Sequence, residues 1–144
     1  VSQTSGTQSE QFVQGLARTV ERLSATGSQV FLLEAIPEIP SYDSRQIARA
    51  LAGNRLDDTA LAAAVDTERT SVENRAAPLT GVLDQMQSKG IQRLDPAPYF
   101  CDDNTCSALH NGSAQYFDNN HIINSAARRI RPLFAPVFEG RQSE

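Results

Sequence analysis

Gln29-Val30-Phe31-Leu32-Leu33-Glu34-Ala35-Ile36 is a nearly unbroken apolar run of strand length, closed by Pro37. It lacks the alternation of a strand with one wet face. It therefore reads as a strand over 29–36 buried on both sides, the mark of a parallel sheet covered by helices. Pro40 prevents an early restart of regular structure. Upstream, Phe12, Val13, Leu16, Val20 and Leu23 recur at three- and four-residue steps, predicting a helix over 9–25 with Gly27 where a C-terminal cap belongs. Downstream, short helices are predicted over 42–52, ending at Gly53, and over the Ala-rich 59–65. A longer helix over 67–89, with Val72, Leu79, Val82, Leu83 and Met86 on one face, is interrupted by Pro78 and stopped by Gly90. Residues 91–94 form a second strand, closed by Asp95-Pro96. Strands separated by helices predict an α/β fold with a parallel sheet. Two core strands are fewer than a doubly wound sheet normally has, so a sheet incomplete on its N-terminal side is expected.

The bulk properties narrow the function. With 144 residues, 40% hydrophobic, the chain can build the core of one domain or part of one. Six Phe and no Trp make that core mostly aliphatic. A net charge of -4 leaves no basic footprint, so nucleic acid is not an expected partner. No apolar run approaches the ~20 residues needed to cross a bilayer. The chain opens on Val with a polar, low-complexity stretch and no charged-then-apolar leader. Residues 1–10 are expected to be a disordered or cut loop, 11–138 a domain and 139–144 a tail, the whole being a piece of something longer.

Chemistry concentrates near the C-terminus, in Tyr116-Phe117-Asp118-Asn119-Asn120-His121. A carboxylate beside an imidazole is the orienting half of a nucleophilic site: the acid fixes the tautomer, and the ring takes a proton from a hydroxyl. An isolated Asp-x-x-His is equally the pattern of a solvated turn or helix cap. Here it follows a predicted hairpin over 107–117, whose Asn111-Gly112 suits a type I′ turn, and precedes a predicted helix over 124–134. Neither Gly-Asp-Ser nor Gly-x-Ser-x-Gly occurs, so the base and its orienter come without a recognisable nucleophile. Cys101 and Cys106 sit in a polar loop and read as a small disulfide, which implies an oxidising compartment; free thiols are the alternative. The two Cys and two His fit no usual zinc spacing. Glu38, just past the first strand, is placed where a substrate cleft would lie, or else in a solvated loop. His110, beside the Asn-Gly turn, is expected to be exposed and without a catalytic role. Arg128, Arg129 and Arg131 are expected on a solvated helix face, where cations suit the helix dipole.

Taken in order, the helix at 12–23, the strand and turn at 30–38, the strand exit Leu94-Asp95-Pro96, the Cys101-x4-Cys106 loop and Asp118-x-x-His121 resemble the C-terminal part of an SGNH hydrolase domain. The resemblance is to the extracytoplasmic domain fused to bacterial membrane acyltransferases of the acyltransferase-3 type, and it runs over about 12–134. It implies a three-layer α/β/α fold with Ser-His-Asp chemistry. His121 would be the general base and Asp118 its orienter, and the serine nucleophile and oxyanion donors would lie upstream of Val1. The implied reaction is acyl transfer onto a cell-surface glycan, in the periplasm or otherwise outside the cytoplasm. An upstream membrane domain would supply an acyl group derived from acetyl-CoA, with no cofactor in this domain. An SGNH carbohydrate esterase and a non-catalytic α/β binding module are the alternatives. The family usually follows its His with Leu-Ser or Leu-Thr and then Gly-Ala; here Ile122-Ile123 follows and Ala126-Ala127 replaces Gly-Ala. Asn124 or Asn120 is then the expected substitute for the lost hydroxyl cap.

Overall fold

The computed structural model describes residues 8–87 and 89–139. It is a mixed α/β structure, and the chain divides into two compact units. One holds the chain up to Leu33 together with Ala77–Leu94; the other holds Glu34–Ala76 and the chain from Asp95 onward.

The first unit contains helix α1 (Gln8–Ala25) and strand β1 (Val30–Leu33). Its later strand, Ile91–Leu94, pairs with β1 in parallel, Val30 opposite Ile91 and Leu33 opposite Leu94. The predicted parallel pair is therefore present. α1 turns Val20 into a small core with Met86 and Ile91, and Val13, Leu16 and Ala17 pack partly against it. Phe12 and Leu23 stay outside it, 53% and 44% exposed. Gly27 ends the helix at a φ of 79°, the left-handed cap that glycine adopts without a Cβ penalty. Lys89 Nζ reaches Glu21 Oε1 at 2.6 Å across this unit. Two expectations are corrected. β1 spans four residues rather than 29–36, and it is not buried on both faces: Val30 to Leu32 are half-buried and Leu33 is 45% exposed. The run of apolar residues overstated the strand because 34–36 leave the ladder after Leu33. Ser9 and Glu10 are helical, as the period over 9–25 predicts, and the helix takes in Gln8 as well; residues 1–7 lie outside the described residues.

The second unit opens with an irregular segment, 34–43, that turns at 40–41, followed by α2 (Ser44–Ala52) and α3 (Asp58–Val65). Both helices start conventionally: Asp43 Oδ1 accepts the Gln46 N–H at 2.9 Å, and Asp57 Oδ1 accepts the Ala60 N–H at 2.8 Å. The next residues correct the predicted long helix. Asp66–Glu68 form strand β2, and α4 runs only over Arg69–Gln87, beginning in this unit and ending in the other. Pro78 lies inside α4 without ending it. With Ile91–Leu94 as β3, strand β4 (Thr105–Ser107) pairs antiparallel with β2. The hairpin is thus shorter than expected: β5 (Leu109–His110) and β6 (Ser113–Ala114), joined through Asn111 and Gly112 at φ 50° and 74°. Both central residues are left-handed, as a type I′ turn demands. Cys101 and Cys106 are disulfide-bonded, and the described residues include no free cysteine.

The predicted last helix also breaks up. α5 covers Asn124–Arg129, a 3-10 turn covers Arg131–Phe134, and α6 covers Ala135–Glu139. Pro132 and Pro136 each sit in the first turn of a new element, where a missing N–H costs nothing. Residues 140–144 of the expected tail lie outside the described residues. The core of this unit is built around Tyr116, fully buried, with Phe100 packed edge-on at 5.2 Å and Tyr42 at 6.3 Å between ring centroids. Ile39, Val65, Cys106, Ala108, Ala126 and Ile130 complete it.

Candidate functional site

The acid-histidine pair is carried by a tight reversal that a short antiparallel ladder closes. Ile123 N–H donates to Gln115 C=O at 2.9 Å, Tyr116 bridges Ile122, and Phe117 N–H donates to His121 C=O at 2.7 Å. Alternation along such a ladder sends neighbours to opposite sides. Tyr116 points into the core, so Phe117 and His121 fall on the outer side, with Phe117 49% exposed and the His121 side chain 76% exposed.

Inside the reversal, Asp118 satisfies the turn's own backbone. Its Oδ1 accepts the N–H of His121 at 2.9 Å and of Asn120 at 3.1 Å. The same carboxylate meets the imidazole: Nδ1 of His121 lies 2.9 Å from both Oδ1 and Oδ2. The N–H groups of His121 and Asn120, aided by the imidazole and opposed by slight burial, hold the Asp118 carboxyl below its usual range. An ionised carboxylate only accepts, so Nδ1 carries the hydrogen. That leaves the Nε2 lone pair free to take a proton, and among the described residues Nε2 has no hydrogen-bond partner.

Five hydrogen bonds and one ring contact fasten this reversal to the segment 37–45. The Tyr116 hydroxyl donates to Pro37 C=O at 2.8 Å, and burial pushes that phenol well above its ordinary value. Ile39 N–H donates to Asn119 C=O at 2.8 Å, and Asn119 Nδ2 donates to Glu38 Oε1 at 2.7 Å. At the start of α2, Ser44 gives both its hydroxyl, at 2.6 Å, and its N–H, at 3.3 Å, to Phe117 C=O. Beside it the Arg45 guanidinium stacks on the Phe117 ring, 5.1 Å from the centroid.

Each residue singled out in the sequence can now be placed. Asp118 and His121 are brought together. Glu38 is half-buried, and its carboxylate is engaged by Asn119 and, at 3.9 Å, by Arg75. His110 is exposed in its hairpin, its Nε2 3.4 Å from Asn111 Nδ2. The expected helix cap is corrected: Ile123 occupies the N-cap of α5 without a side-chain bond, and Asn124 is the first residue of the helix rather than its cap. Arg129 is corrected too. It folds back over Phe100 at 5.1 Å and donates Nε to Gln115 Oε1 at 3.1 Å, so it braces the strand before Tyr116 rather than lying on a wet face. The Tyr116–Pro37, Ser44–Phe117 and Glu38–Asn119 bonds were not anticipated, and the single sequence holds no signal for contacts more than 70 residues apart. An open depression of about 600 Å³ lies elsewhere in the same unit, lined by Glu68, Arg69, Thr70, Glu73, Asp103, Asn104 and Thr105. Its central cation is already bound, Arg69 to Glu73 at 2.8 Å and to Asp102 C=O at 2.8 Å.

No group of His, Cys, Asp and Glu among the described residues could hold a metal ion. No helix among them is long and apolar enough to cross a membrane. A carboxylate 2.9 Å from Nδ1 of an exposed imidazole, carried by an α/β structure, is an arrangement by which a ring nitrogen can take a proton from an alcohol. Residues 2–136 match the family described as SGNH domain (fused to AT3 domains), and the chain belongs to that family. Neither the curated proteins nor the solved structures give a match.

Proposed function

We propose that this chain is the extracytoplasmic domain of an O-acyltransferase that moves acyl groups, acetyl foremost, onto a cell-surface glycan. The observation that carries the reading is the Asp118 carboxylate set 2.9 Å from Nδ1 of His121, with Nε2 turned out to solvent. In this reading a serine from outside the chain attacks the donor's acyl carbon. Its hydroxyl proton passes to Nε2, and the imidazolium returns it to the departing group. A glycan hydroxyl, deprotonated by the same ring, then attacks the acyl-serine; the bond to the serine oxygen breaks, and the imidazolium returns the proton to that oxygen, restoring the enzyme. Asp118 holds the tautomer and steadies the imidazolium throughout. The family's description, in which such domains are fused to AT3 domains, supports a membrane domain of the same protein as supplier of acyl groups derived from acetyl-CoA. The domain itself then needs no cofactor. A periplasmic setting, tethered to the inner membrane, fits the bonded Cys101 and Cys106, because such bonds persist in oxidising compartments. Glu38, its carboxylate engaged within the protein, fits support of the turn better than contact with the glycan.

The test is a transfer assay on membranes holding the full-length protein, with labelled acetyl-CoA and the cell's own polysaccharide. Label should enter the polysaccharide, and His121→Ala should remove it by about 10⁶-fold, the size seen when a catalytic base is deleted. Label appearing only as free acetate would assign the domain to ester hydrolysis instead. Undiminished transfer by His121→Ala would end the reading.

A further inference from the structure

The turn that carries the pair has little packing of its own. Only Asp118, Asn119 and Asn120 lie between Phe117 and His121, whose backbone bond ends the ladder, and the His121 side chain is largely in water. Something must keep it in the one shape in which two backbone N–H groups and a ring nitrogen converge on a single carboxylate. Asn119, lying between Asp118 and Asn120 in the chain, is gripped twice by consecutive residues of the facing segment. Ile39, fully buried, donates its N–H to the Asn119 carbonyl at 2.8 Å. Glu38 accepts from the Asn119 side chain at 2.7 Å in a partly buried position, and Arg75 stands 3.9 Å from the other Glu38 oxygen. A hydrogen bond to an ionised carboxylate is roughly twice as strong as a neutral one. The grip from Ile39 is backbone and available to any sequence; the grip from Glu38 is chosen by a side chain.

We propose that Glu38 is a positioning residue for the Asp118–His121 pair, acting through Asn119 to hold the turn closed. This rests on the reading of the pair as orienter and base. Glu38 touches neither member of the pair, so its effect is on geometry. Without it, Asn119 loses one of its two anchors, and the N–H groups of Asn120 and His121 spend less time on Asp118. The carboxylate then steers the ring less well. Arg75 contributes by keeping the Glu38 carboxylate aimed across the segment.

The experiment uses the 144-residue chain labelled for NMR. It follows amide exchange at Asn120 and His121 and the acid titration of the Asp118 carboxyl. Glu38→Ala should speed exchange of those two amides at least about tenfold and move the Asp118 titration up toward the ordinary value of about 3.9. The core amides of Ile130 and Leu61 should be unchanged. Glu38→Gln keeps an acceptor for Asn119 and should restore both readings. If Glu38→Ala does not fold, Asn119→Ala removes the same bond from the other side and must give the same two changes. Unaltered exchange and titration, or loosening spread evenly through the core, overturns the inference. Failure of the underlying reading looks different: His121→Ala would leave acyl transfer by the full-length protein intact, whatever Glu38 does to the turn.

Discussion

Two short reversals in this molecule each carry a histidine, and they differ in almost everything else. The β5–β6 hairpin is local. Its shape comes from Asn111 and Gly112, both at positive φ, and its histidine stands exposed at the strand end with only Asn111 for company. The reversal at 117–121 contains no glycine. It is held by Asp118 from within and by Pro37, Glu38, Ile39 and Ser44 from more than 70 residues away. The first turn is made by backbone preference and leaves its imidazole to itself. The second is made by a carboxylate, and the carboxylate that satisfies the backbone is the one that meets the ring. A single side chain thus closes the turn and holds the imidazole, so a change that opens the turn also frees the histidine ring.

The contrast is broken most directly by Asp118→Asn and His110→Ala, compared in the full-length protein by the transfer assay. An amide at position 118 can present its NH₂ to Nδ1 and favour the wrong tautomer. Such a change costs about 10⁴-fold in turnover where an aspartate orients a catalytic histidine. His110→Ala should stay within about twofold, since among the described residues the hydrogen bond of its ring is to Asn111. Equal losses from the two variants would erase the distinction between the turns.

A smaller effect, read by urea unfolding of the chain, sharpens it. Tyr116→Phe removes a buried hydroxyl and leaves the Pro37 carbonyl without its partner, at a cost of about 1–3 kcal/mol. Gly112→Ala forces an alanine to a φ of 74° with nothing within 4 Å of the new Cβ, so its cost is backbone strain alone, about 1–2 kcal/mol. The stability losses should overlap while the activities separate. Tyr116→Phe loosens the ladder beside the base and should slow transfer, and Gly112→Ala should not. If Gly112→Ala slows transfer as much as Tyr116→Phe does, the hairpin is part of the site.

What could be seen in the sequence, and what could not, follows the same division between local and distant. The Asp118–His121 pair spans three residues and showed itself, as did Asn111-Gly112 and the apolar period of α1. The strand Asp66-Thr67-Glu68 did not. It has no apolar residue to report, and it exists because Thr105–Ser107 lies opposite it. The strand at Val30–Leu33 was overdrawn for the converse reason: an apolar run states a preference for burial but not where the ladder stops. Arg129 was misplaced because three nearby arginines look alike in sequence, and only the ring of Phe100 and the amide of Gln115 distinguish one of them. The clamp on Asn119 depends on Glu38, 81 residues away, and no pattern within one chain points across that distance.

The smallest expected effect is the dependence of folding on acid, and it tests whether Asp118 truly closes its turn. Its folded carboxyl titrates below the unfolded value of about 3.9, chiefly because the His121 and Asn120 N–H groups favour the charged form. A depressed folded value means the unfolded chain binds the proton more readily. The contribution is therefore fully present above the unfolded value and is lost as pH falls through the folded one. Stability measured from pH 6 downward should begin to fall near pH 4 and fall less steeply in Asp118→Ala. Part of the slope must survive. Asp102 is held down in the same way by the N–H groups of Asn104 and Thr105, and Glu21 by Lys89, so each also favours the folded state less as acid is added. His110→Ala changes no carboxyl and should leave the limb as it is. If Asp118→Ala leaves the limb unchanged as well, the carboxylate is not engaged by its turn in solution, and the two reversals are more alike than their geometry says.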